Sequence, residues 1–318
     1  MADIFNIVFP VFALSALGYV LIRFQWLADQ TGDALAAFVF NVAIPVLLFR
    51  SLATANFAGF NPAELWLSYL PGILGAFAFS YILVAWIVRR GGRAAVIGGV
   101  AAGFSNLVLM GIPLIERAYG EEGLALHFLL ISVHLPFMMM LCTFLMEFAA
   151  RRDGADTSTL KAGQIVLRVG KSLLINPLAI GILGGVAWFF SGLSIPAPAM
   201  QIFDLIGRTA GPLALIALGM GFTKYSIRGN WQPAVGLALF SVVGMPLIAL
   251  AAGLYVFDLP PLWLKVCVLA AACPTGVNAY LFATHFKHAE GLASSSIVFA
   301  SLFSIATIPL WLALLASY

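Results

Sequence analysis

The sequence predicts an all-α polytopic membrane protein with ten transmembrane helices, arranged as two inverted repeats of five helices each. Three observations predict this fold. Of the 318 residues, 62% are hydrophobic and only 9% are charged, whereas roughly a quarter of the residues in soluble proteins are charged. Apolar stretches long enough to cross a bilayer follow one another along the chain. The second half also repeats features of the first half at a nearly constant offset.

Windows of about 20 apolar residues define the candidate spans. The first span follows no cationic segment and precedes no small-residue cleavage site, so we expect it to be retained. Cys142, Cys267 and Cys273 fall inside spans, which favours small core residues over a disulfide or a metal site, and no cofactor is expected. The ten windows lie near residues 4–23, 33–52, 65–88, 94–118, 123–148, 172–190, 199–221, 233–256, 261–285 and 291–315.

Lys and Arg residues are distributed unevenly between the two sides of the predicted membrane. Twelve of them fall on one side, including those in Arg89–Arg93, Arg151–Lys161 and Lys224–Arg228, and three lie near the other side. Because cytoplasmic loops are enriched in Lys and Arg, the rich side is predicted to be cytoplasmic. Ten spans then place both termini outside. The net charge of +3 is therefore interpreted as a topology signal, with the lipid bilayer and not nucleic acid as the partner.

The polar linker at 151–162 divides the chain into a first repeat, 1–150, and a second repeat, 163–318. Since each half has five spans, an odd number, the second half must enter the membrane from the opposite side. Inverted repeats of this kind recur among secondary transporters. The matches are Pro10 with Pro177, Gly18 with Gly185 and Pro45 with Pro212, at an offset of 167, and EGLA at 122–125 with EGLA at 290–293, at an offset of 168.

Two corresponding spans contain residues that interrupt helices. The fourth span carries Gly111 and Pro113, and we expect the helix to break there because proline has no N–H and clashes with the preceding turn. The ninth span carries Pro274, Gly276 and Asn278. Free backbone groups at membrane depth are tolerated only where protein or a watery cavity satisfies them. The two breaks are therefore predicted to cross near the middle of the membrane.

A crossing of broken helices would suit an anion such as a carboxylate, because helix N-termini carry partial positive charge and free N–H groups. Side-chain amides and hydroxyls near the breaks would add hydrogen-bonding groups. The predicted substrate site consists of Ser105, Asn106, Gly111, Pro113, Pro274, Thr275, Asn278, Tyr280, Asn41 and Arg208. No catalytic residue and no metal ligand is assigned.

Five segments carry a resemblance to a known family: FVFNVAIPVLLF at 38–49, SNLVLMGIPLIERAYG at 105–120, INPLAIGILGG at 175–185, ACPTGVNAYLFATHF at 272–286 and IVFASLF at 297–303. Together they resemble the auxin efflux carrier family, which includes plant auxin carriers and bacterial permeases for malate or malonate. The resemblance implies crossed broken helices in spans 4 and 9, a fold like that of bile-acid sodium symporters, a scaffold part that forms a homodimer, and elevator-type movement of a transport part.

This chain departs from the plant carriers at two places. The plant proteins have a proline at the ninth-span crossing where this chain has Ala279 after Asn278. Their long cytoplasmic loop is reduced here to about a dozen residues. The first difference argues against the plant auxin pocket, and the second removes the usual site of phosphorylation control.

Arg208 lies near the middle of the seventh span, where a charge costs about 2.5–3.5 kcal/mol. Either it pairs with Asp204 one helical turn away, or it attracts an anionic substrate. At the repeat offset its counterpart is Asn41 in the second span, and both are expected to face the crossing. His134 and Asp204 are the candidates for coupling to protons, although a buried histidine satisfied by its neighbours is the competing interpretation of His134.

The predicted function is a secondary transporter of a small organic anion, a mono- or dicarboxylate such as malonate, malate or an auxin-like acid, in the bacterial inner membrane. A cation or proton antiporter is an alternative, but such proteins need buried carboxylates. A ligand-sensing protein with a transporter-like fold is another, although the chain shows no output domain. An intramembrane enzyme is least favoured, since HExxH and mid-membrane aspartate pairs are absent from the sequence.

Overall fold

The computed structural model of the protein describes residues 2–54, 61–154, 174–227 and 231–318, together with Gly163, Leu167, Gly170 and Lys171. Within these ranges the regular secondary structure is helical, apart from one β-bridge between Ser105 and Thr275. The predicted all-α class is therefore confirmed for the described part. Most of the predicted linker, 155–162, lies outside the described residues, as do Arg168 and Arg228 of the charge pattern.

The described part of the first half forms six helices, some of them joined by short π-helical segments. These helices are α1, Ala2–Arg23; α2, Asp29–Phe38; α3, Ile44–Ala53; α4, Pro62–Ser80; α5, Gly92–Gly103; and α6, Ile112–Arg152. The π-helical segments are Val39–Ala43, Tyr81–Ile87 and Leu107–Gly111. Within α6, Gly120 leaves the helical conformation with φ 65° and ψ −158°, which glycine adopts without a Cβ clash. The helix thus divides where the sequence places the turn between spans 4 and 5.

The described part of the second half forms seven further helices. They are α7, Pro177–Ser191; α8, Ala197–Gly221; α9, Gln232–Leu239; α10, Met245–Tyr255; α11, Pro261–Ala271; α12, Asn278–His285; and α13, Glu290–Leu315. Helix α7 shows how local sequence sets a boundary. The Asn176 side-chain oxygen accepts a hydrogen bond from the Leu178 N–H at 2.9 Å. Pro177 fits the first helical position because the N–H that proline lacks would have no acceptor within the helix there.

Seven helical runs within the described residues are long and apolar enough to cross a membrane. Two shorter apolar helices, Pro177–Ser191 and Pro261–Ala271, accompany them. The protein is therefore an integral membrane protein that spans the bilayer several times. The long runs are Asp3–Arg23, Asp29–Ala53, Pro62–Ile87, Leu107–Arg152, Ala197–Lys224, Gln232–Tyr255 and Glu290–Leu315.

The chain folds into two compact units, each assembled from segments of both halves. Unit 1 comprises Met1–Pro62, Val108–Ser132 and Lys171–Lys224; unit 2 comprises Ala63–Leu107, Val133–Gly170 and Tyr225–Tyr318. The division into compact units differs in kind from the predicted division into sequence repeats, which stays a prediction.

Unit 1 is held together by two close helix pairs, α1 with α8 and α3 with α7. In the first pair, a Cβ on Gly18 would lie 2.1 Å from the Ile216 carbonyl oxygen. In the second, a Cβ on Gly185 would lie 2.7 Å from the Phe49 carbonyl oxygen. Each pair therefore requires glycine, because only a missing side chain lets the two backbones approach this closely.

Unit 2 has an alanine-rich core where α4, α5, α9 and α13 meet, with Ala76, Ala95, Ala102 and Ala234 among its buried residues and Leu292 contributed by α13. Such residues let helices pack closely where no hydrophobic force drives them together. The Ser80 hydroxyl donates a 2.8 Å hydrogen bond to the Ala95 carbonyl oxygen. This core supports α5, which leads directly into the first break.

Candidate functional site

The two predicted helix breaks meet inside unit 2. Between α5 and Leu107, residues Phe104–Asn106 are extended, and they pair antiparallel with Pro274–Gly276 between α11 and α12. We call these segments strand 1 and strand 2, and their pairing the crossing. The Asn106 N–H donates to the Pro274 carbonyl oxygen at 2.8 Å, and the Gly276 N–H donates to the Phe104 carbonyl oxygen at 2.8 Å. The pairing satisfies backbone groups that would otherwise be free at membrane depth.

The break in the fourth span begins earlier than Gly111 and Pro113, the residues expected to cause it. The chain is already π-helical at Leu107–Gly111, and Pro113 is the second residue of α6. Proline is tolerated within a membrane helix when a local π-helical adjustment satisfies the freed backbone groups. The expectation that Pro113 interrupts the span is therefore wrong in detail: the break is the segment Phe104–Asn106, and Pro113 lies in the helical run that follows it, where the π-helical turn becomes α6.

Hydroxyl groups of the two strands cap the ends of the opposite half-helices. The Thr275 hydroxyl donates to the Ala101 carbonyl oxygen of α5 at 2.6 Å. In the other direction, the Ser105 hydroxyl lies 3.4 Å from the Ala271 carbonyl oxygen of α11. The last carbonyl groups of a helix lack partners within it, so each strand supplies what the other half-helix needs. Ser105 and Thr275, which the sequence assigns to substrate binding, therefore direct their hydroxyl donors to the backbone.

Burial separates the predicted ligand residues of the crossing into two groups. Asn106 is 6% exposed, and Pro274 is also buried. Asn278 and Tyr280 are only half-buried. Asn278 is the first residue of α12, where the helix dipole favours negative charge. The N–H groups of Ala279 and Tyr280 already donate to the Gly276 and Val277 carbonyl oxygens, so the Asn278 side chain is the donor that this helix start offers. An accessible amide and a helix N-terminus therefore coincide at the end of strand 2.

His134 lies beside strand 1, against two aromatic rings. Its ring is 3% exposed and meets the Phe104 ring edge-on, with centroids 4.7 Å apart. The Tyr69 ring also contacts the His134 ring edge-on, with the two ring centroids 5.6 Å apart. Sequence reasoning missed Tyr69, and the signal that could have found it is a phenol inside an apolar span, two residues before Pro71.

The remaining predicted site residues belong to unit 1 and so do not form part of the crossing. Gly111 and Pro113 are buried. Asn41 is exposed in the π-helical segment between α2 and α3, and Arg208 is exposed on α8. Their expected orientation towards the crossing stays a prediction.

Asp204 has a different ionic partner from the one proposed on sequence spacing. Its carboxylate forms an ion pair with the Arg50 guanidinium, which also donates to Glu121 at 3.0 Å. In the part of the chain that the structure describes, Arg208 has no carboxylate within ion-pair distance. The Arg208–Asp204 pair is therefore wrong, because packing between α3 and α8 supplies Arg50 instead.

A family model described as "Membrane transport protein" matches residues 3–312 of this chain. The protein belongs to this family. The match spans both units and the crossing, and it confirms the auxin efflux carrier family that the five sequence segments indicate. Membership makes the protein a transporter and not an enzyme.

Individual family members are similar along almost their whole length. A protein of Rhizobium meliloti (strain 1021) named "Putative malonate transporter" is 26% identical, with 97% of this chain and 94% of the relative aligned. The uncharacterized transporter YfdV of Escherichia coli (strain K12) is 25% identical over 95% of each chain. Auxin efflux carrier component 8 of Arabidopsis thaliana is 22% identical over 96% of each. Similarity to the family thus reaches bacterial and plant transporters alike.

Proposed function

We propose that this protein is a secondary transporter of small carboxylates, with dicarboxylates of the malonate and malate type as its preferred substrates. The observation that carries this proposal is the end of strand 2, where the half-buried Asn278 amide begins α12. A carboxylate placed there would accept a hydrogen bond from the Asn278 side-chain amide and would be stabilised by the partial positive charge at the start of the helix. The printed name of the Rhizobium meliloti relative supports the choice of malonate as the first substrate to test.

The residue composition of the crossing favours an anion over a cation. Neither 101–111 nor 271–285 contains an Asp or Glu residue. A cation or proton antiporter would need a carboxylate to hold its substrate, whereas amide dipoles and a helix terminus suffice for an anion. Ala279 replaces the plant proline next to Asn278, which supports a small aliphatic acid rather than an auxin-like one.

We also propose ten spans in two inverted repeats. The two close helix pairs of unit 1 support this, since the contact of Gly18 with Ile216 and that of Gly185 with Phe49 are related by the offset of 167. The crossing supports it too, because each strand caps the other half-helix. In this proposal the fourth span is α5 with the start of α6, and the fifth is the rest of α6. The sixth span contains α7, and the ninth is α11 with α12.

The two units support an elevator mechanism, in which unit 2 carries the bound anion and unit 1 is the scaffold. In this proposal α1, α3, α7 and α8 of unit 1 stay fixed in the inner membrane, and two scaffolds form the homodimer. Both termini face outside, since Arg89–Arg93 and Arg151 face the cytoplasm.

Uptake into proteoliposomes tests the proposed function directly. Purified protein should accumulate labelled malonate or malate faster than indole-3-acetate, and a proton or sodium gradient added separately would identify the coupling ion. Asn278→Ala should abolish most of the uptake. Equal uptake by protein-free liposomes, or transport of cations but none of the acids, would contradict the proposal.

Orientation has its own test. Single cysteines at Arg90 and at the exposed Glu122, in a background lacking the three native cysteines, can be labelled in intact cells with an impermeant thiol reagent. We expect labelling at position 122 only. Labelling at position 90 would show that the orientation in the membrane is opposite to the one proposed.

A further inference from the structure

The side chain of Tyr69 is fully buried in unit 2, directly behind strand 1. It is 2% exposed and is the bulkiest of the fully buried side chains in the described residues. Its hydroxyl lies beside the Ser105 side chain, with Cys267 and Cys273 of the neighbouring α11 region also close. A phenol has thus been placed at the crossing without access to solvent.

The Tyr69 hydroxyl is poorly satisfied in this position. It is near Ser105 but is not aligned for a hydrogen bond with any group of the described residues. Among the described residues, the Ser105 hydroxyl makes a long contact of 3.4 Å with the Ala271 carbonyl oxygen and a contact of 3.6 Å with the Met245 sulfur, which is a weak acceptor. A buried hydroxyl without a good hydrogen bond disfavours folding, so phenylalanine would serve packing alone better. The hydroxyl therefore calls for a role other than stability.

The Tyr69 ring reaches strand 1 by a second route. It contacts the His134 ring edge-on, and His134 contacts the Phe104 ring edge-on. Tyr69 thus lies against Ser105 with its hydroxyl and against Phe104 by way of the His134 ring. Because strand 1 pairs with Pro274–Gly276, the position of strand 1 also sets where α12 and Asn278 begin.

We infer that Tyr69 is a positioning residue for carboxylate binding: its hydroxyl and its contact with His134 hold strand 1 so that Asn278 and the start of α12 meet the anion. The inference rests on the proposed function, since it assigns the anion to the end of strand 2. Small rotations align the Tyr69 and Ser105 hydroxyls, so this bond forms part of the time in the empty protein, where it limits local opening of strand 1, and persists when the anion is bound. The hydroxyl then contributes to affinity and to local order of strand 1, and not to the global stability of the empty protein.

Tyr69→Phe in the full-length protein tests the inference, with malonate as the probe. We expect the malonate dissociation constant to rise three- to tenfold, while the thermal midpoint of the empty protein stays unchanged or increases. Tyr81→Phe is the matched control, because Tyr81 follows α4 directly and its hydroxyl meets Arg152 at 3.2 Å, away from the crossing. The control should bind malonate like the wild type.

Two further measurements keep the inference separate from the proposed function. Ser105→Ala combined with Tyr69→Phe should weaken binding no more than the more damaging single change, since both remove the same bond. Amide hydrogen exchange in the empty protein should be faster at Phe104–Leu107 in Tyr69→Phe and unchanged in Tyr81→Phe. If the wild type binds no carboxylate, the proposed function fails and the exchange result alone decides the role of Tyr69. Wild-type exchange at strand 1, or wild-type malonate affinity in Tyr69→Phe, overturns the inference.

Discussion

Strand 1 and strand 2 cross each other but are held in different ways. Strand 1 is enclosed: Phe104, Ser105 and Asn106 are 3%, 1% and 6% exposed, and aromatic rings pack against it. Strand 2 is anchored by the short Thr275 bond to Ala101 and then emerges into the half-buried start of α12. The difference shows that two helix breaks of similar sequence and geometry can have different roles. Strand 1 supports the crossing, whereas strand 2 offers groups to a substrate.

The largest effect should come from the hydroxyl that anchors strand 2. Thr275→Val keeps the side-chain volume but leaves the Ala101 carbonyl without its 2.6 Å partner, so the free energy of unfolding should fall by about 1–3 kcal/mol. Ser105→Ala loses only a 3.4 Å contact and should cost less than about 1 kcal/mol. Denaturant unfolding in detergent micelles measures both. Equal losses would mean that the two caps are equivalent.

A second prediction concerns the two asparagines. Asn278→Ala should weaken malonate binding by about 1–3 kcal/mol, the value of a hydrogen bond to a charged group, and leave stability nearly unchanged. Asn106→Ala should instead lower stability, because Asn106 is buried within strand 1. Calorimetric binding and thermal unfolding of each variant separate the two effects. The reverse pattern would exchange the roles of the strands.

A third prediction tests whether a charge outside the crossing assists strand 2. Arg208→Gln should reduce malonate uptake with little change in stability, and Arg208→Lys should keep part of the uptake.

A double-mutant cycle of Asp204→Asn with Arg50→Gln should give a coupling free energy of unfolding of about 0.5–1 kcal/mol, since these side chains form a partly exposed ion pair. The same cycle with Arg208→Gln is the control and should give none. A measurable coupling between Asp204 and Arg208 would instead support the ion pair that their i,i+4 spacing predicts.

The smallest effect on stability should come from the first turns of α5 and α11, the helix ends that lie away from the crossing. The start of α5 is capped by Asp153, whose carboxylate accepts the N–H groups of Gly92 and Arg93 at 3.1 and 3.2 Å. The start of α11 instead has Pro261, which has no N–H to satisfy. Asp153→Asn should therefore cost at most about 1 kcal/mol of stability, and Asp33→Asn is an exposed control.

The pH dependence of this cap follows from the Asp153 carboxyl. Partial desolvation raises the pKa of Asp153, but the N–H groups of Arg93 and Gly92 and the Arg93 guanidinium outweigh it and hold the pKa below its usual value. A carboxyl with a lowered pKa in the folded state stabilises the protein above the unfolded pKa of about 3.9, and this contribution is lost as the pH falls through the lowered value. Thermal midpoints of the wild type and Asp153→Asn should converge in acid. Parallel curves down to the lowest pH would exclude the cap.

Much of the fold followed from local rules. A low content of charged residues requires a bilayer, and Pro274 and Gly276 mark a break because they weaken a helix wherever they occur. The same reasoning failed for Pro113, which lies inside a continuous helical run where a π-helical turn gives way to α6, since such a local adjustment accommodates the missing N–H. The sequence alone could not tell these two cases apart, because they differ only in which carbonyl oxygens the neighbouring N–H groups reach.

What the sequence by itself determined is thus the membrane-spanning helical class, the family, and the two spans that must break, because these depend on composition and on residues acting within one helical turn. The tertiary structure alone decided which groups meet. Asp204 pairs with Arg50 because α3 packs closely against α8 at Gly207. A Cβ atom on Gly207 would lie only 3.3 Å from the Cδ1 atom of Leu47 in α3. Tyr69 reaches Ser105 only through the packing of separate helices. Such contacts join residues far apart in the chain, so no spacing rule can predict them.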